Sequence, residues 1–217
     1  MKKLIIANWK NNPETLEEAK SLAKACDHEA VVICPPLVFL PFLSPLPLYA
    51  HLGTQDIDIP VSELKTLAVQ YIILGHSQRR LNLGETDSMV NAKVSDAIKN
   101  DLTPILCLGA NVDEQFANCT KGLDKQDLQK IVYVYEPLGA ISTVKDSKPV
   151  VPEVANRVIE HIHELAGPNS TVLYGGTVNK DNAADYAKYQ SINGALVGAA
   201  SLDPENFLQV VKIFENL

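Results

Sequence analysis

The chain has 217 residues (23.7 kDa), 46% of them hydrophobic, with mean hydropathy near zero, which is enough apolar material for a sizeable core in one or at most two domains. A formal charge of −7 and a pI of about 5.2 argue against a nucleic-acid or anionic-membrane partner, because both demand a basic face. No apolar run reaches the roughly 18 residues of a membrane span, and the start "MKKLIIANWK" lacks the long apolar stretch and small-residue cleavage site of a secretion signal, so a cytoplasmic protein is expected.

In chain order the sequence offers short apolar, β-branched runs: "LIIAN" (4–8), "AVVIC" (30–34), "LYAHL" (48–52), "YIILG" (71–75), "TPILC" (103–107), "IVYVY" (131–135), "TVLYG" (171–175) and "GALVG" (194–198). Each reads as a strand buried on both faces. Between them lie stretches of helical spacing, among them 13–25, 85–100, 151–167 and 203–217, with Pro or Asp near their starts and Gly or Asn near their ends. Eight alternating units imply a parallel sheet, and eight is the number that closes into a (β/α)8 barrel. No linker, charge block or low-complexity segment divides the chain, so residues 1–217 are expected to form a single domain. At about 27 residues per unit the loops are trimmed relative to a typical barrel of this kind. The proline-rich "CPPLVFLPFLSPLPL" (34–48) reads either as a second βα unit with a broken helix or as an exposed apolar contact surface.

Cys26, Cys34, Cys107 and Cys119 are widely separated and mostly lie in or beside apolar runs. Buried free thiols in a reducing compartment are therefore expected, rather than a disulfide or zinc framework. His28, His51, His161 and His163 read as satisfied core histidines.

In a closed barrel the site lies where the strands end and the βα loops begin. The first strand delivers Asn8 and Lys10 there, the fourth His76, the sixth Glu136, the seventh Gly175 and Gly176, and the eighth Gly198. One acid, one imidazole, one ammonium group and several glycine turns are thus expected to converge.

The pieces "NWK" (8–10), "GHSQRR" (75–80), "LGETD" (83–87), "YEP" (135–137), "YGGT" (174–177) and "LVGAAS" (196–201) occur in the order and at the strand positions found in triosephosphate isomerases, and over nearly its whole length the chain resembles that family. The resemblance implies a TIM barrel that interconverts dihydroxyacetone phosphate and glyceraldehyde 3-phosphate through an enediolate, with no cofactor or metal. That chemistry needs a base and donors for a developing oxyanion. Glu136 is the expected base, a carboxylate made more basic by apolar neighbours. His76 precedes a stretch able to open a helix, where positive dipole charge favours a neutral imidazole. Lys10 and Asn8 complete the electrophilic side. Backbone N–H groups around Thr177, Gly198 and Ala199 are expected to hold the phosphate, with Gly175 and Gly176 allowing close approach. The resemblance further makes "PLGAISTVK" (137–145) a lid starting at Pro137, gives Ser142 a phosphate-binding N–H, and sets Ile141 with Leu196 as an apolar clamp over Glu136. Ser77, Gln78, Glu85, Cys107 and Tyr174 stand as supporting residues within or beside the same motifs.

Departures from the family pattern accompany the matches. Gln78 stands where an acid is usual, Gly139 where the lid carries Trp, Asn11 where Met is common, and Ala110 where a Glu follows Cys107. The stretch from Gln55 to His76 is short, which removes much of the third βα loop. A homodimer with an altered third-loop interface is expected, since "LVFLPFL" (37–43) is more apolar than a solvated segment should be. Two other readings remain at this point: a different phosphate-binding barrel isomerase, and an inactive barrel acting as a binding protein.

Overall fold

The computed structural model describes residues 3–137 and 150–217. Eight strands, β1 (Leu4–Asn8), β2 (Val31–Cys34), β3 (His51–Thr54), β4 (Val69–Leu74), β5 (Thr103–Leu108), β6 (Val132–Tyr135), β7 (Thr171–Tyr174) and β8 (Gly194–Val197), form a closed parallel barrel in sequence order. It is the expected (β/α)8 barrel. Closure pairs Leu4–Ala7 of β1 with Gly194–Val197 of β8. Gly194 makes that seam possible: its φ is +150°, and a Cβ there would lie 1.8 Å from the Leu4 carbonyl oxygen.

Continuous apolar runs become strands here because both faces are covered. Ile6, Val32, Ile73, Ile105, Val134, Leu173 and Leu196 pack together on the inner face, while alternate residues such as Ile5, Ala7, Val31, Ile33 and Ile72 pack outward with the helices. The helix ends follow local chemistry. The expected helix at 13–25 runs Leu16–Ala25, because Thr15 accepts from the Glu18 N–H while the Glu18 carboxylate accepts from the Thr15 N–H. Thr86 caps Asp87–Lys99, Pro152 opens Pro152–Ala166, and Asp203 caps Pro204–Asn216.

The expected third strand at 48–52 is displaced: Leu48 and Tyr49 lie outside it, and Tyr49 is 80% exposed. Prolines at 45 and 47 turn that apolar run into a connector, and pairing begins only at His51. The second unit carries the broken helix, a 3₁₀ turn at Leu37–Phe39 followed by the single turn Leu40–Leu43. Val38 and Phe42 nevertheless stay exposed on it. The third connection is short, six residues between Thr54 and the helix Val61–Thr66.

All four cysteines are buried free thiols. The four remaining histidines are not core residues as expected. His28, His51, His161 and His163 are each only partly buried; His161 reaches Asp113 and Glu164, and His163 contacts the Ser170 hydroxyl and the Ser191 carbonyl. His161 and His163 lie on the helix Pro152–Ala166, where polar partners are within reach outside the core, whereas His28 sits in a loop and His51 opens β3. No helix among the described residues is long and apolar enough to cross a membrane.

Candidate active site

The end of β1 is shaped around Lys10. Buried Asn8 accepts the Lys10 N–H on its side-chain oxygen at 3.1 Å, which helps hold Lys10 at φ +53°, a left-handed conformation that a non-glycine residue adopts only when its surroundings enforce it. Gln55, immediately after β3, donates its side-chain N–H to the carbonyls of both Lys10 (2.7 Å) and Cys34 (3.0 Å), so the ends of three strands are tied together. Burial lowers the pKa of the Lys10 ammonium, and the charge of Glu136 opposes that shift.

At the end of β4, His76 caps the helix Ser77–Leu83. Its Nδ1 accepts the Gln78 backbone N–H at 3.3 Å, and its Nε2 lies 3.0 Å from Glu136 Oε1. A ring nitrogen that accepts carries no proton, so the hydrogen of a neutral imidazole sits on Nε2, where Glu136 can receive it. Glu136 follows β6 and is 2% exposed. Ser77 holds it twice, from its backbone N–H to Oε2 at 2.9 Å and from its hydroxyl to Oε1 at 3.0 Å. Sequence alone placed Ser77 only among supporting residues; its grip on both oxygens makes it the main anchor of the carboxylate.

A cavity of about 250 Å³ is lined by Lys10, His76 and Glu136 together with Gly175, Gly176, Thr177, Leu196, Gly198 and Ala199. Of the expected residues, these nine are brought together. The glycine pair has a further reason to exist: a Cβ on Gly176 would lie 2.2 Å from the Tyr174 hydroxyl, so the turn is small because the Tyr174 ring passes beneath it. Gly198 precedes the 3₁₀ turn Ala199–Leu202, which Ser201 secures by donating its hydroxyl to the Gly198 carbonyl at 2.7 Å.

Asn8 and Gln78 line a neighbouring cavity of about 350 Å³ that shares Lys10 and His76 with the first. Cys107 is sealed among inner-face side chains, and burial, followed by the nearby Glu136 charge, pushes its thiol pKa well up. Glu85 lies apart, in a buried cluster with Asp56, Arg79 and Lys93. Tyr174 is fully buried, and its hydroxyl accepts the Val150 N–H at 3.3 Å. Pro137 is buried directly after Glu136, whereas Ile141, Ser142 and the expected lid from residue 138 onward lie outside the described residues.

Sequence reasoning missed Val178, Asn179, Ala200 and Asn206, which also line the first cavity. Asn179 had a usable signal, since "TVNKDN" is built for an Asx turn, and its side-chain oxygen accepts the N–H groups of Asp181 and Asn182. Asn206 had none; it reaches the site from the first turn of the helix Pro204–Asn216, where its oxygen accepts the Lys180 N–H at 2.9 Å.

Comparisons with known proteins identify the family. Residues 3–214 match the family described as triosephosphate isomerase. The chain is 33% identical to a triosephosphate isomerase of Dictyoglomus turgidum (97% of this chain, 99% of the relative), 36% to one of Trichodesmium erythraeum (97% and 99%) and 34% to one of Aquifex aeolicus (99% and 100%). The first alignment spans 248 positions against a chain of 217 residues, so this chain lacks segments that its relative has, in keeping with the short third connection. On this evidence the chain belongs to the triosephosphate isomerase family and is an isomerase.

Proposed function

We propose that residues 1–217 act as one catalytic domain that interconverts dihydroxyacetone phosphate and D-glyceraldehyde 3-phosphate in the cytoplasm, by proton transfer through an enediolate and without a cofactor or metal. Glu136 removes the proton from the carbon next to the carbonyl and returns it to the neighbouring carbon. His76 donates its Nε2 hydrogen to the carbonyl oxygens as charge develops on them, and Lys10 and Asn8 complete the electrophilic wall. Lys10 also supplies local positive charge for a dianionic substrate that the net charge of −7 repels. Backbone N–H groups around Thr177, Gly198 and Ala199, with Ser142, receive the phosphate, and Ile141 with Leu196 covers the base beneath a lid that begins at Pro137.

The observation that carries this reading is the contact of Glu136 with His76 at 3.0 Å, at the rim of one small cavity, with the His76 Nδ1 already engaged by a helix N–H. It supplies a base and a neutral hydrogen-bond donor within reach of a single small substrate. In the arrangement described, Ser77 occupies both carboxylate oxygens, so abstraction requires Glu136 to exchange Ser77 for substrate and to return afterwards.

Assembly as a homodimer with an altered third-loop interface belongs to the same proposal. Exposed Val38, Phe42, Leu81 and Leu83 sit on the second and fourth βα connections, beside the short third one. The deciding experiment is a coupled assay with D-glyceraldehyde 3-phosphate as sole substrate. Turnover at enzyme-like rates supports the proposal; binding without turnover would instead identify an inactive binding barrel, and turnover of another sugar phosphate alone a different isomerase.

A further inference from the structure

Glu136 lines two cavities. Beside the one described above, a second of about 390 Å³ lies behind the carboxylate, between the ends of β4, β5 and β6. Its floor is Gly75, Ser77 and Glu136, all buried, and its rim includes Leu81, Thr86, Ala110 and Glu114, all exposed. It is a funnel from the surface to the catalytic carboxylate that does not pass through the substrate cavity. At its base the Ser77 hydroxyl, 3.0 Å from Glu136 Oε1, is a group that can both accept and donate a proton. At this rim, position 110 is exposed and carries only a methyl group.

We propose that this funnel, with Ser77 as its relay, is the route by which the proton taken from substrate exchanges with solvent; the inference rests on Glu136 being the base. After abstraction Glu136 is a carboxylic acid. When it returns to Ser77 its O–H donates to the Ser77 oxygen, and the Ser77 hydrogen turns toward solvent in the funnel. Glu136 passes its proton to Ser77 as Ser77 releases its own to a water molecule, leaving an ionised carboxylate, a neutral serine and a hydronium ion. The reverse sequence, run with a solvent deuteron, regenerates the acid carrying deuterium. Charge and atoms balance, and no other reactant is needed. Substrate meanwhile remains in the first cavity, so exchange competes with return of the original proton without requiring product release.

The test uses the intact enzyme in deuterium oxide, with NMR measurement of how much product retains the substrate's own hydrogen and how much carries deuterium at the reacting carbon. Ala110→Phe closes the rim at an exposed position, where substitutions seldom disturb folding. It is expected to lower the exchanged fraction at least threefold while kcat stays within about twofold of the parent, because position 110 does not line the substrate cavity. A second measurement keeps the parent sequence: imidazole, a small neutral base, should raise the exchanged fraction in the parent and not in Ala110→Phe. An exchanged fraction that is the same in both proteins, with or without imidazole, would overturn the route. Failure of the underlying base assignment shows differently, as substantial turnover by Glu136→Gln, and is scored separately.

Discussion

The rings of Tyr174 and Tyr186 stack with centroids 4.2 Å apart, and both hydroxyls converge on the backbone of one residue, Val150. Tyr174 accepts the Val150 N–H, and Tyr186 donates to the Val150 carbonyl at 2.7 Å. Val150 is thereby held against the barrel just ahead of the helix Pro152–Ala166. Tyr186 is 1% exposed, so Tyr186→Phe keeps the stack but strips the carbonyl of its partner. A loss of about 1 to 3 kcal/mol in urea-induced unfolding is expected, the cost of a buried polar group left unsatisfied. An unchanged midpoint would mean that solvent replaces the hydroxyl at no cost.

Stability should fall as the solution becomes alkaline. Burial raises the Cys26 and Cys119 thiols from 9.0 to about 12, and raises Cys34 and Cys107 as well. These groups are acids whose folded pKa lies above the unfolded one, so above pH 9 the unfolded chain releases protons that the folded chain keeps. The stabilisation is fully present below that pH and declines toward the folded values, each thiol adding a slope of about 1.4 kcal/mol per pH unit. Chemical denaturation at pH 7, 9 and 10.5 checks this; a flat profile above pH 9 would contradict it.

Asp56 is completely buried and accepts from Lys93 at 2.8 and 2.6 Å while also pairing with Arg79. Asp56→Asn leaves two cations around a neutral amide. Because Glu85 remains beside both, the expected cost is about 3 kcal/mol, the low end for breaking a buried pair. Thermal unfolding of the variant measures it, and a loss below about 1 kcal/mol would show that Glu85, with Asp58 beside Arg79, satisfies the two cations.

For Glu136→Gln, kcat is expected to fall by roughly 10² to 10⁴, about 3 to 5 kcal/mol of barrier, while a phosphate-bearing inhibitor still binds. The amide keeps the shape of the carboxylate but offers only one oxygen to the two Ser77 donors and has no basicity toward a carbon acid. Retention of more than about a tenth of kcat would remove Glu136 from the role of base.

The barrel and the side chains that meet at its candidate site were legible in the sequence because each depends on a local signal. A run such as "IVYVY" (131–135) must be covered on both faces, and Glu136, which follows it, falls where the strand ends and a βα loop begins. What could not be read depends on distant pairings. Asp56 is an unremarkable loop acid until the helix Asp87–Lys99 brings Lys93 to it. Gln55 gains its purpose only when closure sets the carbonyls of Lys10 and Cys34 within reach. The misplaced third strand is a conflict of local signals: "LYAHL" (48–52) has strand composition, but the prolines at 45 and 47 fix its first half as a connector. Of the four peripheral histidines, His161 and His163 are turned from the core by the periodicity of the helix Pro152–Ala166, while His28 lies in a loop and His51 opens β3.

Association should follow from the apolar residues left outside. Val38 is 66% exposed, Phe42 48%, and Leu81 and Leu83 66% each. Leu83 borders the cavity that is also lined by Lys10, Asn11 and Gln55, so one of these apolar side chains adjoins the loops that position the ammonium. Monomers rarely expose apolar patches beyond a few hundred Å². Covering about 400 Å² on each of two subunits is worth nominally 20 kcal/mol at 25 cal/mol per Å², against association costs of roughly 4 to 15. The six-residue third connection and Asn11 reduce what a partner can grip, which weakens the dimer without reversing that balance. Sedimentation equilibrium at micromolar concentration should therefore find a species of twice 23.7 kDa. Leu83→Glu, which sets a charge among these exposed apolar side chains, should shift the equilibrium to monomer and raise KM as Lys10 loses its surroundings. A fully active 23.7 kDa species in the parent protein would refute the dimer and leave Val38 and Phe42 as solvent-facing residues of a self-sufficient barrel.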